Sequence, residues 1–159
     1  MPGDLRSKER AIITLTTTGA SMTTGSAAVA NATADFDARS SGNFPDDLQA
    51  QFELVCQWAT ITSIVAGTIA GELYLVPILD GTNLPDVDLT AGLSRLPFTT
   101  YVGAFECPKA PTANTDMRFV SANVTFNPTK MRPYLLNRSG QTLSANWSLK
   151  AVSVQGQYT

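Results

Sequence analysis

A run of apolar residues, ELYLVPIL at residues 72–79, constrains the fold more than any other segment of the chain. Eight residues suit a β-strand, and Gly71 and the Asp80-Gly81 turn bound the run. Leu73, Leu75 and Leu79 would face one side of the strand, and Tyr74, Val76 and Ile78 the other. A strand that is apolar on both faces is covered on both sides, whereas one sheet of a sandwich meets the core on one face only. We therefore expect a loop, an N-terminal arm or another subunit to cover the second face.

Pro77 adds a constraint on this strand, because proline has no N–H group for a sheet ladder. Within sheets it is confined to edge strands and bulges. The sequence thus predicts that residues 72–79 lie at a sheet edge or carry a bulge at Pro77.

Seven further segments have the composition of strands and are separated by turn signals rich in Gly, Pro and Asn. This succession of strands and turns indicates an all-β chain. We expect it to fold as an antiparallel β-sandwich of jelly-roll type. We expect one domain over residues 11–159, preceded by a flexible N-terminal arm at residues 1–10. The seven segments are residues 11–18, 27–33, 51–62, 99–107, 116–126, 131–137 and 143–154.

Two of these segments leave alternatives. Residues 46–60 have apolar side chains at helical spacing as well as at strand spacing, and the aromatic content and the all-β surroundings favour a strand from about Gln51 to Thr62. In the last strand the alternation is regular as far as Ala151 and then moves to Val152 and Val154. This shift by one residue predicts a bulge or a change of sheet near Ala151.

Charge excludes some classes of partner. Charged residues make up 15% of the chain, the formal net charge is −2, and Ser and Thr number 32. The 11 basic residues are scattered, which is unlike a nucleic-acid footprint. We therefore expect no nucleic-acid partner. No apolar run approaches the length of a membrane helix, so we expect no membrane partner either. The local basic group, Arg6, Lys8 and Arg10, is expected to be a solvated arm or one that docks on a neighbouring subunit.

The residues that catalysis most often uses are missing. The chain has no histidine, which removes Ser-His-Asp and Cys-His arrangements, His-ligated zinc and the usual proton shuttle at neutral pH. Cys56 and Cys107 fit no metal-ligand spacing and are expected to be buried thiols. Asp80, Asp86 and Asp88 could bind calcium or form a carboxylate pair, although turn and loop acids account for them better. We therefore expect no enzyme activity and no cofactor.

Three segments resemble a family of small structural proteins from tailed bacteriophages. They are GELYLVPILDGTNLPDVD, YVGAFECPKAPTANTDMRFV and YLLNRSGQTLSANWSLKAVSVQGQY, within residues 50–158. Leu84 stands where the pattern usually has an aromatic residue. The resemblance implies a β-sandwich that decorates or completes the particle, as a capsid decoration protein or a neck or tail component. It also implies localisation in the virion after assembly in the bacterial cytoplasm.

Two functions follow as hypotheses. The first is a virion structural protein that forms homo-oligomers or binds major capsid, portal, neck or tail subunits. The alternative is a carbohydrate-binding or receptor-binding module of a phage adhesion apparatus, since jelly rolls also form lectin domains. Under the first hypothesis we expect the subunit interface to include two groups of residues: Leu73, Tyr74, Leu75, Val76 and Ile78 from the apolar strand, and Arg6, Lys8 and Arg10 from the arm.

Overall fold

The computed structural model describes residues 5–9, 13–16, 21–25, 27–29, 47–78, 100–125, 130–145 and 147–158, and none of these residues is helical. They form ten β-strands. In chain order the strands are β1 (Leu5–Glu9), β2 (Ile13–Thr16), β3 (Ala27–Val29), β4 (Asp47–Cys56), β5 (Ile69–Ile78), β6 (Thr100–Glu106), β7 (Met117–Val120), β8 (Val124–Thr125), β9 (Lys130–Asn137) and β10 (Ser148–Tyr158).

The strands form two antiparallel sheets with nested pairing. One sheet has the order β1-β10-β4-β7, with β2 also on β10 and β8 also on β4, and the other has the order β3-β9-β5-β6. Because β1 and β2 follow one another along β10, and β7 and β8 along β4, each pair acts as one interrupted strand. Of the eight resulting strands, the first pairs with the last, the second with the seventh, the third with the sixth and the fourth with the fifth. This arrangement is the jelly roll that the sequence predicts.

The N-terminal segment differs from its prediction. Leu5–Glu9 pairs with β10 over five residues, from Leu5↔Tyr158 to Glu9↔Val154, so a flexible arm is wrong for this stretch. The charged side chains suggested a solvated segment. Backbone N–H and C=O groups pair in a ladder whatever the side chains, and β10 extends far enough to offer them partners. Residues 1–4 and Arg10 lie outside the described residues.

The hydrophobic core lies between the sheets. Strands β4, β5, β7, β9 and β10 contribute alternate side chains, as the two-residue period of a strand requires. Trp58 and Trp147 pack in this core and are 0% and 2% exposed. The rings of Phe105 and Phe119 meet across the sandwich, with centroids 6.2 Å apart. Other members of the core are Phe52, Leu54, Leu73, Leu75, Met131, Leu135, Leu143, Leu149 and Ala151.

The two ambiguous segments are resolved by pairing. β4 pairs with β10, β7 and β8, which excludes the helical alternative, but it begins at Asp47 and ends at Cys56, earlier than predicted. In β10 the inward alternation continues past Ala151 to Ser153, which is fully buried, so the side chains do not change face at Ala151, whereas a register shift close to Ala151 agrees with the predicted bulge. A polar residue occupies the core-facing position, and this hid the alternation. The register shifts fall between Leu149 and Lys150 against β2, and between Val154 and Gln155 against β4.

The second sheet contains two prolines, Pro77 and Pro133, in positions where a missing N–H group costs no hydrogen bond of the described ladders. In the pairing of β5 with β9, Pro77 lies opposite Met131 and Pro133 lies opposite Leu75. These two residue pairs are two positions apart along the ladder, so they are of the same type with respect to hydrogen bonding. A proline fits there when its nitrogen faces away from the partner strand. Within the described residues, the β6 ladder on that outer side extends to Leu75 and the β3 ladder to Tyr134, so neither reaches a proline. The strand containing Pro77 is thus central rather than an edge strand, and Pro77 lies past the last described pair with β6.

Candidate functional site

The structure separates the predicted interface residues of β5 by face. Leu73 and Leu75 are fully buried in the core between the sheets. Tyr74, Val76 and Ile78 lie on the opposite face, where they are 8%, 1% and 0% exposed. These exposures are those of a single chain, so chain atoms already cover the second face. A subunit that contacted these side chains would have to displace that cover, and their assignment to an interface stays a prediction.

The basic residues of the predicted interface are only partly placed. Arg6 and Lys8 belong to β1, where they pair in register with Gln157 and Gln155 of β10. Arg10 lies outside the described residues. The assignment of these three residues to an interface also stays a prediction.

A polar cluster lies on the outer face of the second sheet beside Tyr74. The Tyr74 hydroxyl donates to Glu72 Oε2 over 2.9 Å, and Arg138 Nε donates to the same oxygen over 2.8 Å. The ring of Tyr101, 54% exposed, has its centroid 5.3 Å from that of Tyr74. Burial and the hydrogen bond to Glu72 raise the pKa of Tyr74 above its ordinary value of 10.0. The cluster therefore holds a neutral tyrosine beside an ion pair, with one aromatic ring open to solvent.

Four loops meet at one end of the sandwich because successive strands alternate in direction. We call this surface the loop end; it comprises residues 21–25, 57–68, 107–116 and 138–145. The loops are joined to each other by backbone hydrogen bonds. Met22 and Leu143 exchange two bonds of 3.1 and 2.9 Å, Ser144 N donates to Gln57 O, Asn114 N donates to Trp58 O, and Cys107 N donates to Thr68 O.

Beneath the loop end, a buried side-chain network fixes the turn at residues 137–141. Asn137, fully buried, donates from Nδ2 to the carbonyls of Met22 and Gln141, each over 2.8 Å. Its Oδ1 accepts from Ser139 N over 3.0 Å. Ser139 Oγ in turn accepts from the Trp58 indole over 3.0 Å. These bonds connect segments distant in sequence, so the loops form a rigid support rather than independent turns.

The exposed residues of the loop end are mostly small and carry few charges. Most are Thr, Ser, Ala or Gly, with Val65 60% exposed among them. Lys109 and Asp116, both in the loop between β6 and β7, are the charged residues among them, and the exposed Glu106 at the end of β6 places its carboxylate beside Gly67. The exposed set is Ser21, Thr23, Thr24, Ala59, Thr60, Thr62, Ser63, Val65, Ala66, Gly67, Pro108, Lys109, Ala110, Thr112, Asn114, Thr115, Asp116, Gly140, Thr142 and Ala145.

The outer face of the first sheet carries a shallow groove across β4 and β10. Its volume is about 170 Å³, and its walls include Gln51, Val120 and Val152. Glu53 Oε1 lies 3.2 Å from Arg118 Nη1 and 3.8 Å from Lys150 Nζ. These exposed pairs compensate one another and contribute little to stability.

The cysteine thiols and the acidic side chains complete the set of potentially reactive groups. Cys56 and Cys107 are free and buried, as predicted, and burial raises the pKa of both thiols, so they stay protonated. Within the described ranges no group of three acidic or Cys side chains could hold a metal ion. The same residues include no helix that could cross a membrane. Asp80, Asp86 and Asp88 lie outside the described residues.

The loop end was missed by sequence reasoning. Residues 57–62, Cys107 and residues 143–145 fall in predicted strands and most of the others in predicted connections, and the predicted interface was the apolar strand at residues 72–79 instead. One signal was available: residues 57–68 contain no charged side chain, and residues 107–116 contain two, Lys109 and Asp116, in a chain that is 15% charged. The side-chain network was not accessible, because Asn137 and Met22 are 115 residues apart.

No family model matches the chain, and no curated protein matches it. Solved structures with some likeness include three of infectious bursal disease virus. They are the Gx strain (TM-score 0.45, 15% identity), the D431N mutant VP2 protein in derived T=1 particles (0.47, 15%) and the VP2 subviral particle (0.44, 13%). The matches cover 98%, 98% and 99% of this chain but 33%, 36% and 38% of those chains, so it spans little more than a third of their length. At these TM-scores and identities we draw nothing about function from the likeness.

Proposed function

We propose that the chain is a non-enzymatic structural protein of a virus particle, which acts by assembling with other copies or with other virion proteins. The loop end carries the proposal. Four loops are joined by backbone hydrogen bonds over a buried network, and they present a surface of mostly small side chains on which Lys109 and Asp116 are the exposed charged residues. A site that performs chemistry holds reactive groups in a cleft, whereas this surface is rigid, open and chemically inert.

Rigidity has an energetic consequence for assembly. Association loses side-chain and loop freedom at the interface, and each rotamer-rich side chain that becomes ordered costs about 0.5–1.5 kcal/mol. Ala, Gly, Ser and Thr have little rotamer freedom to lose, and loops already held by hydrogen bonds need no further ordering. The loop end therefore starts from a conformation that a partner can use, and small side chains allow close approach.

The finer assignment comes from the sequence segments that resemble tailed-phage proteins. On that basis we propose a capsid decoration protein or a neck or tail component, located in the virion and in contact with major capsid, portal or tail subunits. The nested strand order suits this role, because a sandwich with its loops gathered at one end can present them together to a lattice.

Mass spectrometry of purified particles tests the proposal. Particles are isolated from infected cells, washed in concentrated salt to remove loosely bound protein, and compared with a lysate of the same cells. The proposal predicts that the chain remains with the particle in a constant ratio to the major capsid protein. Its presence in the lysate together with its loss from washed particles would contradict the proposal.

A second candidate, glycan recognition, is favoured by one observation. Tyr101 is 54% exposed, and its ring is backed by Tyr74, which Glu72 and Arg138 hold in place. An exposed aromatic face with a carboxylate and a guanidinium beside it has the groups that bind sugars. Glycan-array binding that disappears in Tyr101→Ala, but not in the control Val120→Ala, would support this candidate. Equal array signals for all three proteins would refute it.

A further inference from the structure

We propose that Cys56 and Cys107 form a pair of thiols that a peroxide oxidises to a disulfide, which joins the two sheets beneath the loop end. The chain has two cysteines, so an internal disulfide has one possible pairing. Both are free and 1% exposed, and both belong to the core between the sheets. The pair is a property of the single chain, so it goes beyond the proposed function and does not depend on it.

Strand register places the two cysteines at the same end of the core. Cys56 is the last residue of β4 in the first sheet and lies opposite Met117, the first residue of β7. Cys107 directly follows β6 in the second sheet. Both β4 and β6 run toward the loop end, because the loops that follow them belong to it. The two cysteines therefore reach the loop end from opposite sheets.

The next layer of the core shows that these parts of the two sheets face each other. Phe105, two residues before the cysteine of the second sheet, has its ring centroid 6.2 Å from that of Phe119 in the first sheet. Phe119 pairs with Leu54, and a methyl group placed on Gly71, the partner of Phe105, would lie 3.7 Å from Leu54 Cδ2. Inward-facing positions recur every two residues, so each cysteine lies one step beyond this layer, on facing sides of the core.

Electrostatics and backbone contacts agree with this placement. Burial is the main cause that raises the pKa of the Cys56 thiol, and the Cys107 thiol raises it further. Such an effect weakens with distance, so it indicates neighbouring thiols. Cys107 N donates to Thr68 O, and Ser144 N donates to Gln57 O beside Cys56, each over 2.9 Å. The backbone next to both cysteines is therefore held in place.

The oxidation balances with hydrogen peroxide as the oxidant. One thiolate attacks a peroxide oxygen, the O–O bond breaks, and the sulfur becomes a sulfenic acid. The hydroxide that leaves takes up the proton lost by that thiol and becomes water. The second sulfur then attacks the sulfenic sulfur, which forms the S–S bond and releases a second water. Burial makes the first step slow, because the thiolate is the nucleophile. The nearby second thiol favours disulfide closure over further oxidation.

The disulfide would restrict the chain where the two sheets meet. It would close the segment of residues 56–107 and fasten the end of β4 to the end of β6. A cross-link between residues distant in sequence constrains the unfolded chain, so it stabilises the folded state when its geometry fits. Cytosolic thiols are kept reduced, whereas oxidising surroundings permit disulfides. The bond therefore forms when the folded chain meets an oxidising environment.

Intact-mass spectrometry after maleimide labelling tests the pair. The folded full chain is treated with hydrogen peroxide, the excess is removed with catalase, and the protein is unfolded in urea and labelled with N-ethylmaleimide. Cys56→Ala and Cys107→Ala are the matched controls, because each retains one thiol and cannot form an internal disulfide. Circular dichroism establishes that each protein is folded before treatment.

We expect the unmodified chain to lose two hydrogen atoms, to take up no maleimide and to yield a cross-linked peptide that contains both cysteines. Dithiothreitol should restore both labels. The oxidised chain should unfold at a higher urea concentration than the reduced chain, and neither single variant should show this rise. Two labels after a treatment that oxidises free glutathione completely would overturn the proposal. So would added oxygen without a cross-link, a cross-link only between two chains, or a lower urea midpoint after oxidation. The unmodified chain alone gives each of these results, so the test holds even if a control variant does not fold.

Discussion

Asn137→Ala removes the residue that ties the loop end together, and the structure allows its effect to be worked out bond by bond. The carbonyls of Met22 and Gln141 each lose one donor but keep another, from Leu143 N and from the Ser139 hydroxyl. Each lost bond of this kind costs about 1 kcal/mol. Ser139 N loses its acceptor and becomes a buried unsatisfied donor, at about 1–3 kcal/mol. The sum is about 3–5 kcal/mol.

Urea unfolding followed by tryptophan fluorescence measures this loss directly. Trp58 donates to Ser139 within the same network, so its emission reports on the loop end as well as on the core. Asn123→Ala is the matched control, because the same side chain is truncated at an exposed position, and it should change stability by about 0.5 kcal/mol or less. A loss below about 1 kcal/mol for Asn137→Ala, or equal losses for both variants, would refute the view that the network supports the loops.

Further predictions concern the strand at residues 69–78, the ion pair and the thiols. Leu73→Ala should cost about 2–5 kcal/mol, and Val76→Asp should prevent folding rather than only assembly, because Val76 is 1% exposed; a folded, monodisperse Val76→Asp protein would contradict its burial. Glu72→Gln keeps an acceptor for Tyr74 but loses the charge opposite Arg138, so it should cost about 1 kcal/mol, with a smaller loss in concentrated salt; a salt-independent loss would argue against an ion-pair effect. Burial raises the pKa of the Cys56 thiol above its ordinary 9.0, so above pH 9 the folded state binds more protons than the unfolded state. The stability that this thiol contributes should be fully present below pH 9 and should decrease as the pH rises further. In urea titrations at successive pH values, Cys56→Ala should make this decrease smaller.

Local pattern accounts for much of the fold. β-branched and alternating segments indicated the strands, and the two-faced run at residues 72–79 matches the burial of both faces of β5. The pattern failed where a polar side chain occupies a buried position or a charged segment pairs through its backbone. Ser153 faces the core, although a serine in a strand is usually predicted to be exposed. Leu5–Glu9 pairs with β10, although its charged side chains suggested a solvated arm.

The candidate site was less accessible from sequence than the fold. The loop end depends on which loops the strand order gathers at one end, and on bonds such as Trp58 Nε1 to Ser139 Oγ across 81 residues. No periodicity within one segment contains that information. The small number of charged residues in these segments can be counted in the sequence. That they form one surface follows only from the structure, in which the loops between β4 and β5 and between β6 and β7 lie side by side.

Electron cryomicroscopy of the purified particle tests the central claim, that this chain functions as an assembled structural protein through its loop end. The proposed function predicts a sandwich-shaped density repeated by the symmetry of the particle, with residues 57–68 and 107–116 against a neighbouring subunit. A map at side-chain resolution without this jelly roll, or with the loop end open to solvent in every copy, would contradict it.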